Sequence, residues 1–384
     1  PEERRKRGII VDGLWSATSS VVPIIGTAAL SVVMGRVLGA DQLGQQSLIA
    51  YVEAMVTVMT VAVLTDTAIQ TLSAARGAGD TELYGRLSRW ATATLGFSGL
   101  LSAAVVTTIG LFTDDPLPWF IASLSTLVNG LGWSYGARLV AEQGWSYVSA
   151  RRLVTQTLAQ VLAIAVVLAG GGIVGVFAAN LVAALLLLLL LRRRVDDVAR
   201  GPWQPFPRAA VAIWWRFLLV QGIFQVVSSR IEFLFLGVMS TDQQIAMYSI
   251  AFMLVSSAAL VPVTFFNAGL PRVAESSGAG TLADALAHLA PAIRVVSVVS
   301  LLLTAGAVVA GPPLIELLYG PEFAESAALV PVLAVSLVVV PVGELCTVFW
   351  MGAGRTRVVV TAGIVGGAVD LVLAFVLVSR YDAL

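Results

Sequence analysis

The sequence predicts an all-α, polytopic membrane protein, and three observations carry that prediction. Eleven long apolar stretches follow one another along 384 residues; 58% of the chain is hydrophobic while only 12% is charged; and the basic residues fall in alternate gaps. Such a composition does not fit an ordinary soluble globule, because there is too little polar surface to cover the apolar bulk.

The stretches run from Leu14 to Met34, Gln45 to Ile69, Trp90 to Gly110, Pro118 to Ala137, Leu153 to Gly170, Gly175 to Leu191, Ile213 to Leu236, Ala246 to Ala268, Leu289 to Ala310, Ala327 to Phe349 and Val358 to Val378. Each approaches or exceeds the ~18 to 20 residues with which a helix crosses a hydrocarbon core. The basic flank before the first stretch is like the start of a signal peptide, but the stretch is too long and ten more follow, so a retained helix is expected.

Of the 23 Lys and Arg residues, 20 share one side: Arg4, Arg5, Lys6, Arg7, Arg76, Arg86, Arg89, Arg138, Arg151, Arg152, Arg192, Arg193, Arg194, Arg200, Arg208, Arg216, Arg272, Arg294, Arg355 and Arg357. The opposite gaps hold Arg36 and Arg380 with acids such as Asp114, Asp115, Asp242, Glu316, Glu322 and Glu325. The positive-inside rule then places the N-terminus in the cytoplasm.

A hydrophilic break from Arg192 to Arg208, with Gly201, Pro202, Pro205 and Pro207, divides the chain near its middle. Two domains follow, 1–200 with six spans and 201–384 with five. Trp203, Phe206, Trp214 and Trp215 around the break suit interfacial anchors. Asp41-Gln42 with Ala50-Tyr51 recurs as Asp242-Gln243 with Ala251-Phe252, each copy after a Leu-Gly pair and opening the second span of its half. The repeat is parallel, related by an axis along the membrane normal. A twelfth helix, and more beyond it, is expected to be missing from the second half.

Several chemistries are excluded. Net charge is zero, so nucleic acid is not an expected partner. One cysteine, Cys346, makes no intrachain disulfide, and one histidine, His288, builds neither a His-rich metal site nor a His relay. There is no GxxxxGK[ST] and no nucleophile beside a base, and no gap is long enough to fold as a catalytic domain, so no enzyme and no cofactor are expected.

The candidate functional residues are the ionisable groups inside spans, since each costs on the order of 2.5 to 3.5 kcal/mol near the bilayer centre and must face protein or water. These are Glu53 and Asp66 in the second span, Arg230 and Glu232 in the seventh, Glu344 in the tenth and Asp370 in the eleventh. Arg230 and Glu232 are about 200° apart on a helix and do not form a same-face pair. Counted from the outer ends, Arg230 lies ~10 Å deep and Glu53 ~13 Å, so the two are expected to share a level. An anion-binding or gating element and a buried structural ion pair are both open readings of that pair, and Asp370 is either a titrating or cation-binding acid or a packing residue. Asp66 and Glu344, near cytoplasmic ends, and Arg36, near an outer end, suit interfacial roles. Arg138 and Arg294 mark cytoplasmic mouths, either as orientation signals or as first contacts for an anionic headgroup.

Asn129, Gln156, Gln160, Asn180, Gln221, Gln225 and Asn267 are intramembrane amides that hydrogen-bond either a sugar in a cavity or a neighbouring helix, the second being the commoner use. Gly132 and Gly136 form a GxxxG on the fourth span, a packing signal, and Gly170-Gly171-Gly172 is expected to turn outside the membrane.

The run Gly35-Arg36-Val37-Leu38-Gly39-Ala40-Asp41-Gln42-Leu43-Gly44 resembles the polysaccharide (Wzx-type) flippases of the multidrug/oligosaccharidyl-lipid/polysaccharide (MOP) superfamily. Arg230-Ile231-Glu232 resembles the family's Arg-x-Asp element, with Glu in place of Asp. Tyr319-Gly320-Pro321-Glu322-Phe323-Ala324-Glu325-Ser326 and Gly352-Ala353-Gly354-Arg355-Thr356-Arg357 resemble its loops before the tenth and eleventh helices. The resemblance implies two pseudo-symmetric, MATE-like six-helix bundles around a central cavity in a bacterial inner membrane. It further implies alternating access that carries a polyprenyl-diphosphate-linked oligosaccharide outward. The partners implied are that lipid-linked oligosaccharide, membrane lipids, and a glycan polymerase and glycosyltransferases. Arg230, Arg138, Arg294, Asn129 and Gln225 would then serve substrate, and Glu53, Glu232 and Asp370 coupling or gating. A proton- or sodium-coupled small-molecule exporter of the same superfamily and a lipid II flippase are the alternatives. A single mid-span arginine departs from the cavity arginines of lipid II flippases.

Overall fold

The structure, a computed structural model, describes residues 2–142, 144–195, 232–259, 282–352 and 356–381. These fall into two compact units, 2–38 with 48–195, and 39–47 with the described residues from 232 onward. Among the described residues the regular structure is entirely helical.

Helix α1 (Glu2–Thr57), which belongs to the first unit except for residues 39–47, is bent at Gly39, where φ 82 and ψ 179 leave helical space. The positive φ is one that glycine adopts without a Cβ penalty, and it separates the first and second expected spans. Five residues of wider π-helical turn, Val58–Ala62, lead into α2 (Val63–Gly77). Then come α3 (Thr81–Gly110), α4 (Pro116–Ala141), α5 (Trp145–Leu168) and α6 (Gly172–Arg192). Asp80 starts α3 by accepting the Leu83 backbone N–H at 2.8 Å, and Pro116 opens α4 where its missing N–H costs nothing. Gly170, at φ 85, and Gly172, at φ 56, make the tight turn between α5 and α6.

Helix α3 packs along α4, α4 along α6, and α5 along α6, while α2 closes on α3 and α4. The close approach of α3 to α4 is made by two glycines: a Cβ on Gly130 would lie 2.7 Å from the Gly99 Cα. By contrast Gly132 of the GxxxG has nothing nearer than the Leu188 Cα at 4.0 Å, so that motif does not make the tight contact. Large apolar side chains point outward in helical stripes, Phe97, Leu101 and Val105 on α3 and Val182, Leu185 and Leu189 on α6. In water such stripes are a liability; against lipid tails they are the expected outer surface.

The second unit holds α7 (Glu232–Met239), α8 (residues 242–259), α9 (Leu282–Tyr319), a short 3-10 turn (Pro321–Phe323), α10 (Ala324–Ala334), α11 (Ser336–Gly352) and α12 (Thr356–Tyr381). Helix α9 packs on α10 and α11, and α12 on α7 and α11. Val295, Val298, Leu302 and Val309 form its exposed apolar stripe. The span expected from Ala327 to Phe349 is bent: Pro321–Ala334 and Ser336–Thr347 meet at 45°. Pro331 and Pro341 flank the break, each removing a backbone donor and crowding the carbonyl four residues earlier.

Five helices among the described residues are long and apolar enough to cross a membrane: Val22–Gly77, which contains the Gly39 bend, Thr81–Gly110, Trp145–Leu168, Gly172–Arg192 and Ile293–Tyr319. The broken pair makes a sixth if taken as one span. The fourth expected span is also a helix, α4, but its Ser, Thr, Gly and Asn residues dilute its apolar character. The mid-chain break beyond Val195, with Trp203, Phe206, Trp214 and Trp215, lies outside the described residues, as do most of the seventh span and the end of the eighth.

Candidate functional site

Within the first unit, Glu53 sits half-buried on α1 beyond the bend. The hydroxyl of Thr126, itself fully buried on α4, shares its one proton between Glu53 Oε1 at 3.3 Å and the Ala122 carbonyl at 3.1 Å. No cationic side chain pairs with Glu53 among the described residues, so a neutral hydroxyl is its partner and the remaining carboxylate lone pairs can hold a proton or a cation. One turn on, the chain widens into the π-helical turn, where the Thr60 hydroxyl donates to the Val56 carbonyl at 2.6 Å and meets Ser102 Oγ at 2.5 Å. Turns of this kind occur often at functional sites.

In the second unit, Glu232 opens α7 and its Oε1 accepts the Tyr248 hydroxyl at 2.9 Å. Tyr248 is held edge-on to Phe233, with ring centroids 5.1 Å apart, and stacked on Phe252 at 6.0 Å. Asp370 is half-buried on α12, which meets α7 through Phe375 and Phe235, 6.0 Å apart. Neither Thr126 nor Tyr248 stood out in the sequence, since a hydroxyl on a separate helix has no spacing relation to the acid it serves. Arg230, Gln225, Gln221 and Asn267 lie outside the described residues, and with Arg230 the level it was expected to share with Glu53.

The internal repeat is brought together inside the second unit. A Cβ on Gly44 would stand 1.7 Å from the Asp242 carbonyl oxygen, so the two copies meet backbone to backbone. Ser47 Oγ donates to Ser249 Oγ at 3.1 Å just below. Partial burial, and then the Asp41 charge beside it, raises the Asp242 carboxyl above the usual carboxylate range.

On the arginine-rich side of the first unit, the ends of α2, α3 and α4 are tied together. Arg76 Nη1 donates to the Ala141 carbonyl at 3.3 Å, and the Tyr84 hydroxyl to Glu142 Oε1 at 2.7 Å. An open hollow of about 300 Å³ lies between Arg76, Gly79, Asp80, Thr81, Tyr84 and Glu142. Arg138, in the last turn of α4, is only 4% exposed, whereas Arg294 on α9 is exposed. Asn129 lines a narrow crevice between α4, α5 and α6 beside Trp133 and Arg152. Gln160 is helix-to-helix glue: its amide donates to the Pro23 carbonyl at 2.6 Å and to Thr27 Oγ1 at 3.1 Å, over Gly26. Asp66 and Arg36 are exposed at their helix surfaces. No group of three or more His, Cys, Asp or Glu among the described residues is placed to hold a metal ion.

Comparison with known proteins agrees with this architecture. The fold is similar to a multidrug resistance MATE family transporter of the MOP superfamily in its inward-facing conformation, with TM-score 0.70 and 16% identity over 89% of this chain and 83% of that one. It is similar to the lipid II flippase MurJ in an inward closed conformation, with TM-score 0.74 and 11% identity over 96% and 82%. A MOP superfamily transporter from Pyrococcus furiosus gives TM-score 0.68 and 15% identity over 98% and 89%. These neighbours are transporters and a flippase, not enzymes. Comparison with curated proteins gives no match. The family model described as "Polysaccharide biosynthesis protein" matches residues 116–328, more than half of the chain. The chain therefore belongs to that polysaccharide biosynthesis family, as a multi-pass, all-α membrane protein with the fold of the MOP-superfamily transporters and flippases.

Proposed function

We propose that the protein moves a polyprenyl-diphosphate-linked oligosaccharide from the cytoplasmic to the outer face of a bacterial inner membrane by alternating access. The observation that carries this reading is the family match over residues 116–328, which ties a transporter fold to polysaccharide synthesis. The physics requires such a protein: a diphosphate bearing sugars cannot give up its water to hydrocarbon unless polar and cationic groups replace it. In this reading Arg230 contacts the diphosphate or gates its path, and Glu53 and Glu232 balance that charge. Asn129 and Gln225 bond sugar hydroxyls. Arg294, exposed on α9, recruits the headgroup on the cytoplasmic side, while Arg138, at 4% exposure, meets it only from within the protein. Glycosyltransferases that build the glycan and a polymerase that extends it are the partners this role implies.

A second reading is favoured by the Glu53 site, whose described partner is the neutral Thr126 hydroxyl. A carboxylate of that kind suits proton or sodium coupling, with Glu232 or Asp370 in support, either to drive the glycolipid or to export small molecules. The test is replacement of Arg230 by Ala in a strain lacking its own flippase. Glycan export is expected to be lost while the variant stays at native abundance in the membrane. Normal export by that variant removes Arg230 from the mechanism, and drug efflux with no glycan defect on deletion favours the exporter.

A further inference from the structure

The arginine-rich end of α5 and α6 is built differently from a scatter of topology signals. Arg151 and Arg152 lie in the second turn of α5, and Arg192, Arg193 and Arg194 follow one another at and just beyond the end of α6; none of the five is ion-paired with a described residue. Three of them rest on aromatic faces. The Arg151 guanidinium lies 4.9 Å from the Tyr147 ring centre, Arg194 shares that ring at 5.9 Å, and Arg152 lies over Trp133 at 5.5 Å. The rings are themselves fixed, since the Tyr147 hydroxyl donates to the Leu190 carbonyl at 3.2 Å and packs on Leu139, Val148 and Leu191. A guanidinium held by its face keeps its N–H edge free, which is the edge that matches two phosphate oxygens. Arg151 Nε is buried and has no hydrogen-bond partner among the described residues, an unspent donor in this setting.

Directly beneath Arg152 the surface turns apolar. The crevice between α4, α5 and α6 is lined by Val128, Gly132, Ala184, Leu187 and Leu188, with Asn129 as its one amide. The free space inside it is only about 10 Å³, no more than a water molecule takes up, so a lipid chain would lie along the apolar rim of the crevice and not within it. Trp145, 41% exposed at the same end, suits the depth of the membrane interface. Cations above and an apolar rim below make up the two halves of an amphiphile site.

We propose that Arg151, Arg152 and Arg194, with the apolar rim of the crevice between α4, α5 and α6, bind one anionic phospholipid of the surrounding membrane, its phosphate on the guanidinium edges and an acyl chain along Val128, Leu187 and Leu188. The site lies apart from the carboxylates assigned to transport, meets the residues assigned to cargo only at Asn129, and holds whether or not the transported cargo is a glycolipid. Basic residues near a membrane surface each strengthen attachment to anionic lipid by about fivefold, so three together are a strong selector.

The experiment places the purified protein in nanodiscs of mixed phosphatidylglycerol and phosphatidylcholine and counts retained lipids by native mass spectrometry. The native protein is expected to retain phosphatidylglycerol over phosphatidylcholine by at least about tenfold; equal retention of the two overturns the proposal whatever any variant does. The combined R151Q, R152Q and R194Q variant is expected to lose that preference by at least about tenfold, with helical circular dichroism unchanged. R86Q, which removes an arginine ion-paired to Glu82 at 2.9 Å, is expected to keep it. A triple variant with native preference, or an R86Q variant that loses as much, sinks the assignment.

Discussion

Replacing Gly130 with Ala and, separately, Gly132 with Ala, sets two chemically identical changes two residues apart on α4. A methyl on Gly130 arrives 2.7 Å from the Gly99 Cα and 3.0 Å from the Leu95 carbonyl oxygen, both backbone atoms that no rotamer change removes. Carbon atoms pack at roughly 3.5 to 4.0 Å, so α3 and α4 must part by about 1 Å. Overpacking of that kind costs about 1 to 3 kcal/mol. At Gly132 the methyl meets nothing nearer than 4.0 Å, and no cost arises. Both changes gain the same helix preference of Ala over Gly, about 1 kcal/mol, which cancels between them. Gly130→Ala should therefore unfold below Gly132→Ala by about 2 to 12 °C, at roughly 2 to 4 °C per kcal/mol for a unit of this size. Thermal unfolding in mild detergent, followed by size-exclusion fluorescence, reads the gap. Equal melting of the two variants, or the reverse order, refutes the glycine contact between α3 and α4.

Two further expectations concern the acids. Glu53→Gln keeps an oxygen for the Thr126 hydroxyl, so melting should stay within about 1 kcal/mol of native while any acceleration of transport by an imposed proton or sodium gradient disappears; an undiminished gradient response excludes Glu53 from coupling. For Asp242, whose carboxyl is raised by burial and by Asp41, the folded state binds the proton more tightly than the unfolded chain. Its stabilising contribution is present below the unfolded value of about 3.9 and is lost as pH rises through the raised folded value. Asp242→Asn should thus flatten the fall in melting temperature between acidic and neutral pH, and an unchanged pH profile contradicts the Asp41–Asp242 juxtaposition.

The membrane character of the chain was legible because it depends on summed properties: long apolar runs and one-sided arginines survive ignorance of every contact. Pairings between helices were not legible in the same way. The GxxxG at Gly132 and Gly136 announces a small-residue face, yet the close approach is made by Gly130 against Gly99, because a spacing rule names a face and not the helix that meets it. Gln160 was correctly weighted as glue, but its partner, the Pro23 carbonyl, lies 137 residues away. The break between α10 and α11 had its signal in Pro331 and Pro341, which hydropathy alone overrode. For the candidate site, burial cost singled out Glu53 and Glu232, whereas Thr126 and Tyr248, the hydroxyls that hold them, are unremarkable until the helices are side by side. The repeated Asp-Gln pair marked two equivalent helix starts, and their direct contact at Gly44 and Asp242 emerged only in three dimensions.

The most direct measurement of the central claim is transbilayer movement of a polyprenyl-diphosphate-linked oligosaccharide in proteoliposomes holding this chain alone, read by the accessibility of the glycan to an external lectin. The account predicts that the native protein exposes the internal pool far faster than protein-free vesicles, and that Arg230→Ala returns the rate to that of protein-free vesicles. Movement no faster than in protein-free vesicles, under every imposed ion gradient, contradicts it.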